Sequence, residues 1–282
     1  MTGREGSLRT AFMQGYGTNV VAGVTPGRGG EEVHGIPVYD TVKQAINAKG
    51  PVDASVTFIP GPALKSAVYE AIDAGIKFIV SPVERIPIHD VIDMVQYALK
   101  NDARILGPGS LGLVTPGQAA IGWLGGNVEW ANTLFDPGEI GVISRSGGQS
   151  GTVPWALKVA GLGISTALHI GTEPVLGLAM SDVLHLFEAD DQTKAVAVFG
   201  EIGGTLEEEA AESVALGEFT KPLVVFIAGA WAPEGMRFSH ASSIIEGGKG
   251  TAQGKMKALT EAGAVVVESP EEIAPRIKEL IQ

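Results

Sequence analysis

Ala195-Val196-Ala197-Val198-Phe199-Gly200-Glu201-Ile202-Gly203-Gly204-Thr205-Leu206 reads as a buried strand that runs into a glycine turn and then a helix. A short, wholly apolar run bounded by glycines fits a strand covered on both faces of a parallel sheet. The residues from Leu206 to Leu216 return to a helical period. Glu201 follows the apolar run, so it falls at the carboxyl edge of the sheet, where open α/β sheets collect ligands. The run Glu207, Glu208, Glu209 reads as a solvated helical face.

The same strand–turn–helix unit recurs on both sides of this stretch. Strands are expected near Glu139–Ser144, Ile164–Ile170, Leu223–Ala228 and Ala264–Val267. Helices are expected at Thr152–Ala160, Leu178–Glu188, Thr251–Ala262 and Pro270–Leu280. Five strands with crossover helices suit a flavodoxin-like domain. Gly147-Gly148 follows Ser144, Gly203-Gly204 follows Phe199, and Gly229 follows Ala228. Glycine lets backbone N–H groups approach an anion, and a helix N-terminus adds a favourable field. Three such turns on one edge suggest a phosphate site; taken singly, each is ordinary βα-turn chemistry.

Upstream, Asn19–Gly23, Val56–Ile59, Ile76–Val80 and Arg104–Leu106 read as strands, with helices at Thr41–Ala48, Ala63–Ala74 and Ile88–Lys100 between them. In the last helix Ile88, Val91, Ile92, Val95 and Leu99 form an apolar stripe that is expected to pack on a sheet. Gly107-Pro108-Gly109-Ser110-Leu111-Gly112 breaks the alternation. The boundary is therefore set at 107, with one domain over 1–106 and a second over 107–282.

Composition narrows the function. The 282 residues are 45% hydrophobic and 18% charged, a lean surface that suggests cover by another chain. A net charge of -12 and the lack of a Lys/Arg cluster argue against a nucleic-acid partner. With no cysteine, thiolate metal sites and Cys nucleophiles are excluded. No apolar run approaches the length of a membrane span, and Met1–Gly6 has no signal-peptide core, so the reading is cytoplasmic.

Nucleotide signatures are incomplete. Gly248-Lys249-Gly250-Thr251 lacks the Lys-Thr pair of a P-loop, and Val20 does not complete the fingerprint opened by Gly15-Tyr16-Gly17. His89, His169 and His185 lie in or beside predicted elements and read as structural or surface groups, and His34 as solvated. His240 differs: it stands in Ser239-His240-Ala241-Ser242-Ser243, a loop of small residues before a glycine turn. Neutral imidazole is a competent nucleophile near pH 7 when a carboxylate holds its other nitrogen, and Glu201 is the natural partner.

Ser239-His240-Ala241 with Gly247-Gly248-Lys249-Gly250-Thr251-Ala252, preceded by Gly200-Glu201-Ile202-Gly203-Gly204, resembles the α-subunit family of succinyl-CoA synthetase. The likeness extends through Gly23-Val24-Thr25-Pro26-Gly27-Arg28-Gly29-Gly30, Asp73–Lys77 and Ser144-Arg145-Ser146-Gly147, in order along the whole chain; ATP-citrate lyase shares the modules. The resemblance implies an N-terminal Rossmann-like CoA-binding domain, its first strand absent here, and a C-terminal flavodoxin-like ligase domain, both with parallel sheets. If that start is real, Gly3–Gly6 is expected to be a frayed terminus.

The resemblance also implies an ATP-grasp β subunit, in a heterodimer or heterotetramer, that holds ATP or GTP with Mg²⁺. Phosphate passes through the histidine, here His240, with Glu201 orienting it. Thr2, Gly3, Arg4, Glu5, Arg28, Pro82, Val83 and Glu84 match the positions that hold coenzyme A, and Ser146, Gly147 and Gly148 those that receive phosphate. Three departures concern the acid. Gly109-Ser110 replaces an Asn-containing turn, Gly171-Thr172-Glu173-Pro174 replaces Gly-Gly-Asp-Pro, and Gly148 and Gly151 stand where the family carries Thr and a substrate-binding Tyr. Losing an aromatic hydroxyl reshapes a small-acid pocket. The expected substrate is therefore a short carboxylic acid, with malate, citrate or sulfoacetate as alternatives to succinate. The rivals are a non-catalytic CoA-binding regulatory protein and an NAD-linked dehydrogenase.

Overall fold

The computed structural model describes residues 1–230 and 250–281. Its main body is a seven-stranded sheet with helices on both faces. Five of its strands are parallel: β9 (Pro137–Ser144), β10 (Ile164–His169), β11 (Ala195–Glu201), β12 (Leu223–Ala228) and β13 (Val265–Val267). Counted within this group, their order across the sheet is the flavodoxin order 2-1-3-4-5. A hairpin of β7 (Gly112–Thr115) and β8 (Ala119–Gly122) extends the sheet, β7 running antiparallel to β10. Each strand is four residues long and has a glycine at one end, which leaves too short a run for the sequence to mark the hairpin.

The crossover helices are α6 (Thr152–Val159), α7 (Met180–Ala189), α8 (Leu206–Ala215), α9 (Ala252–Ala262) and α10 (Ile273–Leu280). One apolar cluster packs α7, α8 and α9 on one face of the sheet; a second packs α6 and α10 on the other. Every residue of β11 is buried, as its unbroken apolar run requires.

The first part of the chain forms two smaller sheets. β4 (Ala54–Val56), β5 (Phe78–Val80) and β6 (Arg104–Leu106) are parallel; β1 (Gly23–Val24) pairs in parallel with β3 (Ile36–Tyr39), and β2 (Glu32–Val33) closes a hairpin on β3. The helices α2 (Val42–Lys49), α3 (Leu64–Asp73) and α4 (Ile88–Lys100) join them, and α3 and α4 build a third core with β5 and β6. The Thr41 hydroxyl accepts the Gln44 N–H at 3.2 Å and starts α2.

Five expectations need correction. The strand expected at Val56–Ile59 lies at Ala54–Val56. The strand expected at Asn19–Gly23 is only Gly23–Val24. The packed face of α4 is Val91, Met94 and Ala98, whereas Ile88, Ile92 and Leu99 are exposed. The segment α5 (Val128–Leu134), missed as a helix, is capped by the Asn127 side chain. Residues Arg4–Tyr16 form a helix, α1, rather than a frayed end. Phe12 and Met13 of α1 are buried in the same cluster as α6 and α10, and α1 packs on β8 and α5.

Candidate functional site

β9, β11 and β12 lie side by side, with Ser144 in register with Phe199 and Glu201 with Ala228. Their following turns therefore open on one edge. After β9, the Ser144 hydroxyl donates to the Ser146 carbonyl at 2.8 Å and accepts the Ser146 N–H at 3.2 Å, which folds the chain back at once. Ser150 closes the turn on the Gly147 carbonyl at 2.8 Å. Gly147 and Gly148 are the accessible part of this turn, and α6 starts behind them without a side-chain cap on Gly151.

Beneath the edge lies a cluster of buried charge. Arg145, Glu207 and Lys255 are each 0% exposed. Arg145 Nη1 donates to both carboxylate oxygens of Glu207 at 3.1 Å and to the carbonyls of Gly203 at 2.9 Å and Glu201 at 3.4 Å. Glu207 also accepts the Glu201 N–H at 3.1 Å and a short bond from Lys255 Nζ, which reaches Glu208 at 3.0 Å as well. Burial alone pushes the Glu207 carboxyl up. The Arg145 and Lys255 charges and the two N–H donors outweigh it and hold the group below the ordinary carboxylate range. Glu207 is thus an internal anion, not the solvated face expected from the Glu-Glu-Glu run.

His169, at the end of β10, completes this floor. Its Nδ1 accepts the Leu111 N–H at 3.0 Å, which requires the bare nitrogen there. Nε2 then carries the proton and donates to the Arg145 carbonyl at 3.2 Å. The residue is buried and structural, in line with its sequence context.

His240 lies outside the described residues. The chain leaves the edge after Ala228-Gly229 and returns at Gly250. Gly250 is bonded to the Glu201 turn: its carbonyl accepts the Gly203 N–H at 2.8 Å. Thr251 then caps α9. Both ends of the stretch that carries His240 therefore flank Glu201.

The other expected residues fall into two groups. Thr2 lies against Thr25, hydroxyl to hydroxyl at 3.2 Å, at the end of β1, and the loop with Arg28 follows Thr25. Gly3 is the N-cap of α1 with no side-chain cap and open space around it, and Arg4 and Glu5 form the first turn. Arg28 is exposed and paired with Glu31 at 2.6 Å. An uncapped helix start with Arg4 in its first turn, and with the Arg28 loop following the Thr25 that Thr2 touches, suits a diphosphate. Pro82, Val83 and Glu84 leave β5 elsewhere: Val83 accepts the Gly109 N–H at 2.9 Å and Glu84 the Thr172 hydroxyl at 3.1 Å. That segment is tied to the turns that precede β7 and follow β10.

Gly147, Gly148 and Gly151 also wall a cavity of about 970 Å³ bordered by Trp123, Trp130 and Trp155. A side chain at Gly148 would meet nothing within 4 Å, and one at Gly151 would touch Leu134 at 3.2 Å. No His/Asp/Glu cluster suited to a metal ion occurs among the described residues. No helix among them is long and apolar enough to cross a membrane.

The sequence assigns no role to Arg145 or Lys255 and places Glu207 on the surface. Arg145 carried a signal: a cation placed directly after a buried strand must find an internal anion.

The chain matches the CoA binding domain family over residues 1–84 and the CoA-ligase family over residues 143–265. It is 45% identical to the succinate–CoA ligase [ADP-forming] subunit alpha of Aquifex aeolicus over 100% of this chain and 90% of that one. It is 41% identical to a subunit of an ADP-forming sulfoacetate-CoA ligase of Acholeplasma sp, covering 99% of this chain and 93% of the relative. Among solved structures, the ATP citrate lyase of Methanosaeta concilii in complex with (3S)-citryl-CoA superposes with a TM-score of 0.90 at 25% identity over 99% of this chain. The chain spans about half of that enzyme, 49% of its length. The likeness expected from the histidine and glycine motifs is thus met along the full length, and the chain belongs to the α-subunit family of ADP-forming CoA ligases.

Proposed function

We propose that this chain forms a CoA thioester from a short carboxylic acid by passing a phosphoryl group through His240. The imidazole nitrogen attacks the terminal phosphorus of ATP or GTP, and the P–O bond to the nucleoside diphosphate breaks. The acid's carboxylate then takes the phosphoryl group from nitrogen, giving an acyl phosphate. The CoA sulfur attacks the acyl carbon and inorganic phosphate leaves. Glu201 orients the ring and offsets its positive charge. Ser146, Gly147 and Gly148 receive the phosphate, Gly147 and Gly148 on their backbone N–H groups.

Thr2, Gly3, Arg4, Glu5, Arg28, Pro82, Val83 and Glu84 hold coenzyme A, within residues 1–106; residues 107–282 carry the ligase chemistry. An ATP-grasp partner subunit supplies the nucleotide site with Mg²⁺. The observation that carries this reading is the pair of anchors: Ala228 is in register with Glu201, and the Gly250 carbonyl is bonded to Gly203 two residues on, so both ends of the histidine segment come close to Glu201.

Acids other than succinate remain in view because Gly148 and Gly151 leave the phosphate turn open to the cavity. The sulfoacetate relative fits that reading. The test is incubation of the complex with labelled ATP and Mg²⁺. Acid-labile, base-stable phosphate is expected on the wild-type chain and absent from His240→Asn. Thioester formation at full rate by His240→Asn would sink the proposal.

A further inference from the structure

We propose that Arg145, Glu207 and Lys255 are positioning residues for this phosphoryl transfer, locking the backbone of Glu201 to the segment that carries His240. The inference rests on the reading above and adds residues to it.

The three side chains arrive from three separate turns: Arg145 after β9, Glu207 in the first turn of α8, and Lys255 in the first turn of α9, where the chain has just returned from the histidine segment. Both backbone polar groups of Glu201 end on this cluster, its N–H on Glu207 and its carbonyl on Arg145. Gly203, bonded through its N–H to Gly250, is held through its carbonyl by the same Arg145 atom. Lys255 joins α9 to Glu207 and Glu208 of α8. One carboxylate therefore fixes where the orienting glutamate sits and where the histidine segment re-enters the fold.

Stability alone does not account for these charges. Apolar side chains of similar volume hold a core as well as a buried ion cluster does, and often better. They cannot bind two carbonyls and an N–H in fixed directions. That directional hold is what transfer between two aligned groups needs, since a misplacement of about 1 Å costs about 10²-fold in rate.

Among the described residues, the charged groups that meet the Glu201 backbone or its partners are Arg145 from the β9 turn, Glu207 and Glu208 from α8, and Lys255 from α9; His169 of β10 faces the Arg145 carbonyl. The charges on α6 and α10 lie outward: Lys158 pairs with Asp136, Arg276 with Glu279, and Lys278 is exposed. Charge changes in the cluster should therefore reach the site. Glu207→Gln leaves excess positive charge, which favours the ionised Glu201 and the neutral His240, so the acid limb of the kcat–pH profile moves down. Lys255→Met leaves excess negative charge and moves the limb up. A unit charge gained or lost in the cluster is expected to move the limb by about one pH unit.

The experiment uses the complex with its partner subunit, labelled ATP and Mg²⁺, with thermal midpoints measured alongside. Lys255→Met is expected to slow phosphohistidine formation by about 10²-fold while KM for CoA stays at the wild-type value, with the two acid limbs displaced in opposite directions. Should a single variant fail to fold, Glu207→Gln/Lys255→Met removes one charge of each sign. It is expected to fold, with the acid limb restored and kcat still low. If the wild-type chain takes no phosphate, the phosphohistidine reading falls and this inference with it. If the wild type is phosphorylated and Lys255→Met or the double variant matches its rate, or if both limbs move the same way, the positioning role is wrong and the reading above stands.

Discussion

Replacing Gly250 by alanine tests how the histidine segment is held. Gly250 has φ +74°, in the left-handed region, where a side chain costs about 1–2 kcal/mol. A Cβ there would stand 2.8 Å from the Gly204 carbonyl oxygen and 2.9 Å from the Gly203 Cα, both backbone atoms that no rotamer change can clear. The Glu201 turn must move, and the Gly203 N–H to Gly250 carbonyl bond of 2.8 Å is lost or stretched, a further loss of about 1 kcal/mol. The sum, about 2–3 kcal/mol, leaves a domain of ordinary stability folded. The thermal midpoint should fall by about 5–10 °C.

Gly263→Ala supplies the control: its φ is +100°, it caps the far end of α9, and its Cβ would meet nothing within 4 Å. It bears the conformational cost alone. The assay is the rate of phosphohistidine formation by the complex, read beside the melting curves. Gly250→Ala should lose rate by about 10²-fold and Gly263→Ala should retain it. Equal melting losses, with full rate in Gly250→Ala, would refute the idea that this turn sets the histidine against Glu201.

Three further outcomes follow from the geometry. Glu207 has a depressed carboxyl in the fold, burial being outweighed by Arg145 and Lys255. Its stabilisation is thus present above the unfolded value of about 4.3 and lost as pH falls through the lower folded value. In urea titrations Glu207→Gln should be less stable than wild type at pH 7, with the gap closing below about pH 4; a constant gap would count against the depressed state. His169→Phe strands the Leu111 N–H and the Arg145 carbonyl, so it should cost about 2–4 kcal/mol in chemical denaturation, and His169→Gln, which keeps an acceptor and a donor, clearly less. Arg28→Ala should raise KM for CoA about tenfold, with kcat and the thermal midpoint unchanged, because its pair with Glu31 is exposed; an unchanged KM would remove Arg28 from the CoA site.

Strands are legible where burial on both faces forces an unbroken apolar run, as at Leu223–Ala228, which forms over the residues read. α1 was not legible because close approach replaces apolar bulk along its buried side. Gly6 and Thr10 are buried there, and a Cβ on Gly6 would meet Met1 at 2.9 Å. Small residues carry no periodic signal. Glu207 misled for a different reason. Its neighbours in sequence are acidic, and the cations that make it internal come from Arg145 and Lys255, 62 and 48 residues away. Tertiary pairing of this kind leaves no local trace. The edge position of Glu201, by contrast, follows from strand length alone.

The distribution of burial at the edge has a consequence for how such a site can change its substrate. Among the described residues, the side chains that hold the Glu201 backbone lie beneath the sheet edge in the Arg145–Glu207–Lys255 cluster, where a single loss leaves an unpaired buried charge. Everything that faces the acid in the proposed reading lies above it, in Gly147, Gly148 and Gly151, on a turn whose own hydrogen bonds run through Ser144, Ser146 and Ser150 and not through the cluster. A side chain at Gly148 meets open space, so it can be gained or lost without disturbing Arg145. Substitution in the upper layer thus alters the shape presented to a carboxylic acid at little cost to the lower one. The two layers meet at the Ser144–Arg145 peptide, where the strand ends and the turn begins, and where the His169 ring lies under Gly147. On this view the phosphoryl relay constrains the floor and leaves the roof free. On that division, the choice of acid is expected to follow substitutions in residues 147–151 and not substitutions among the buried charges.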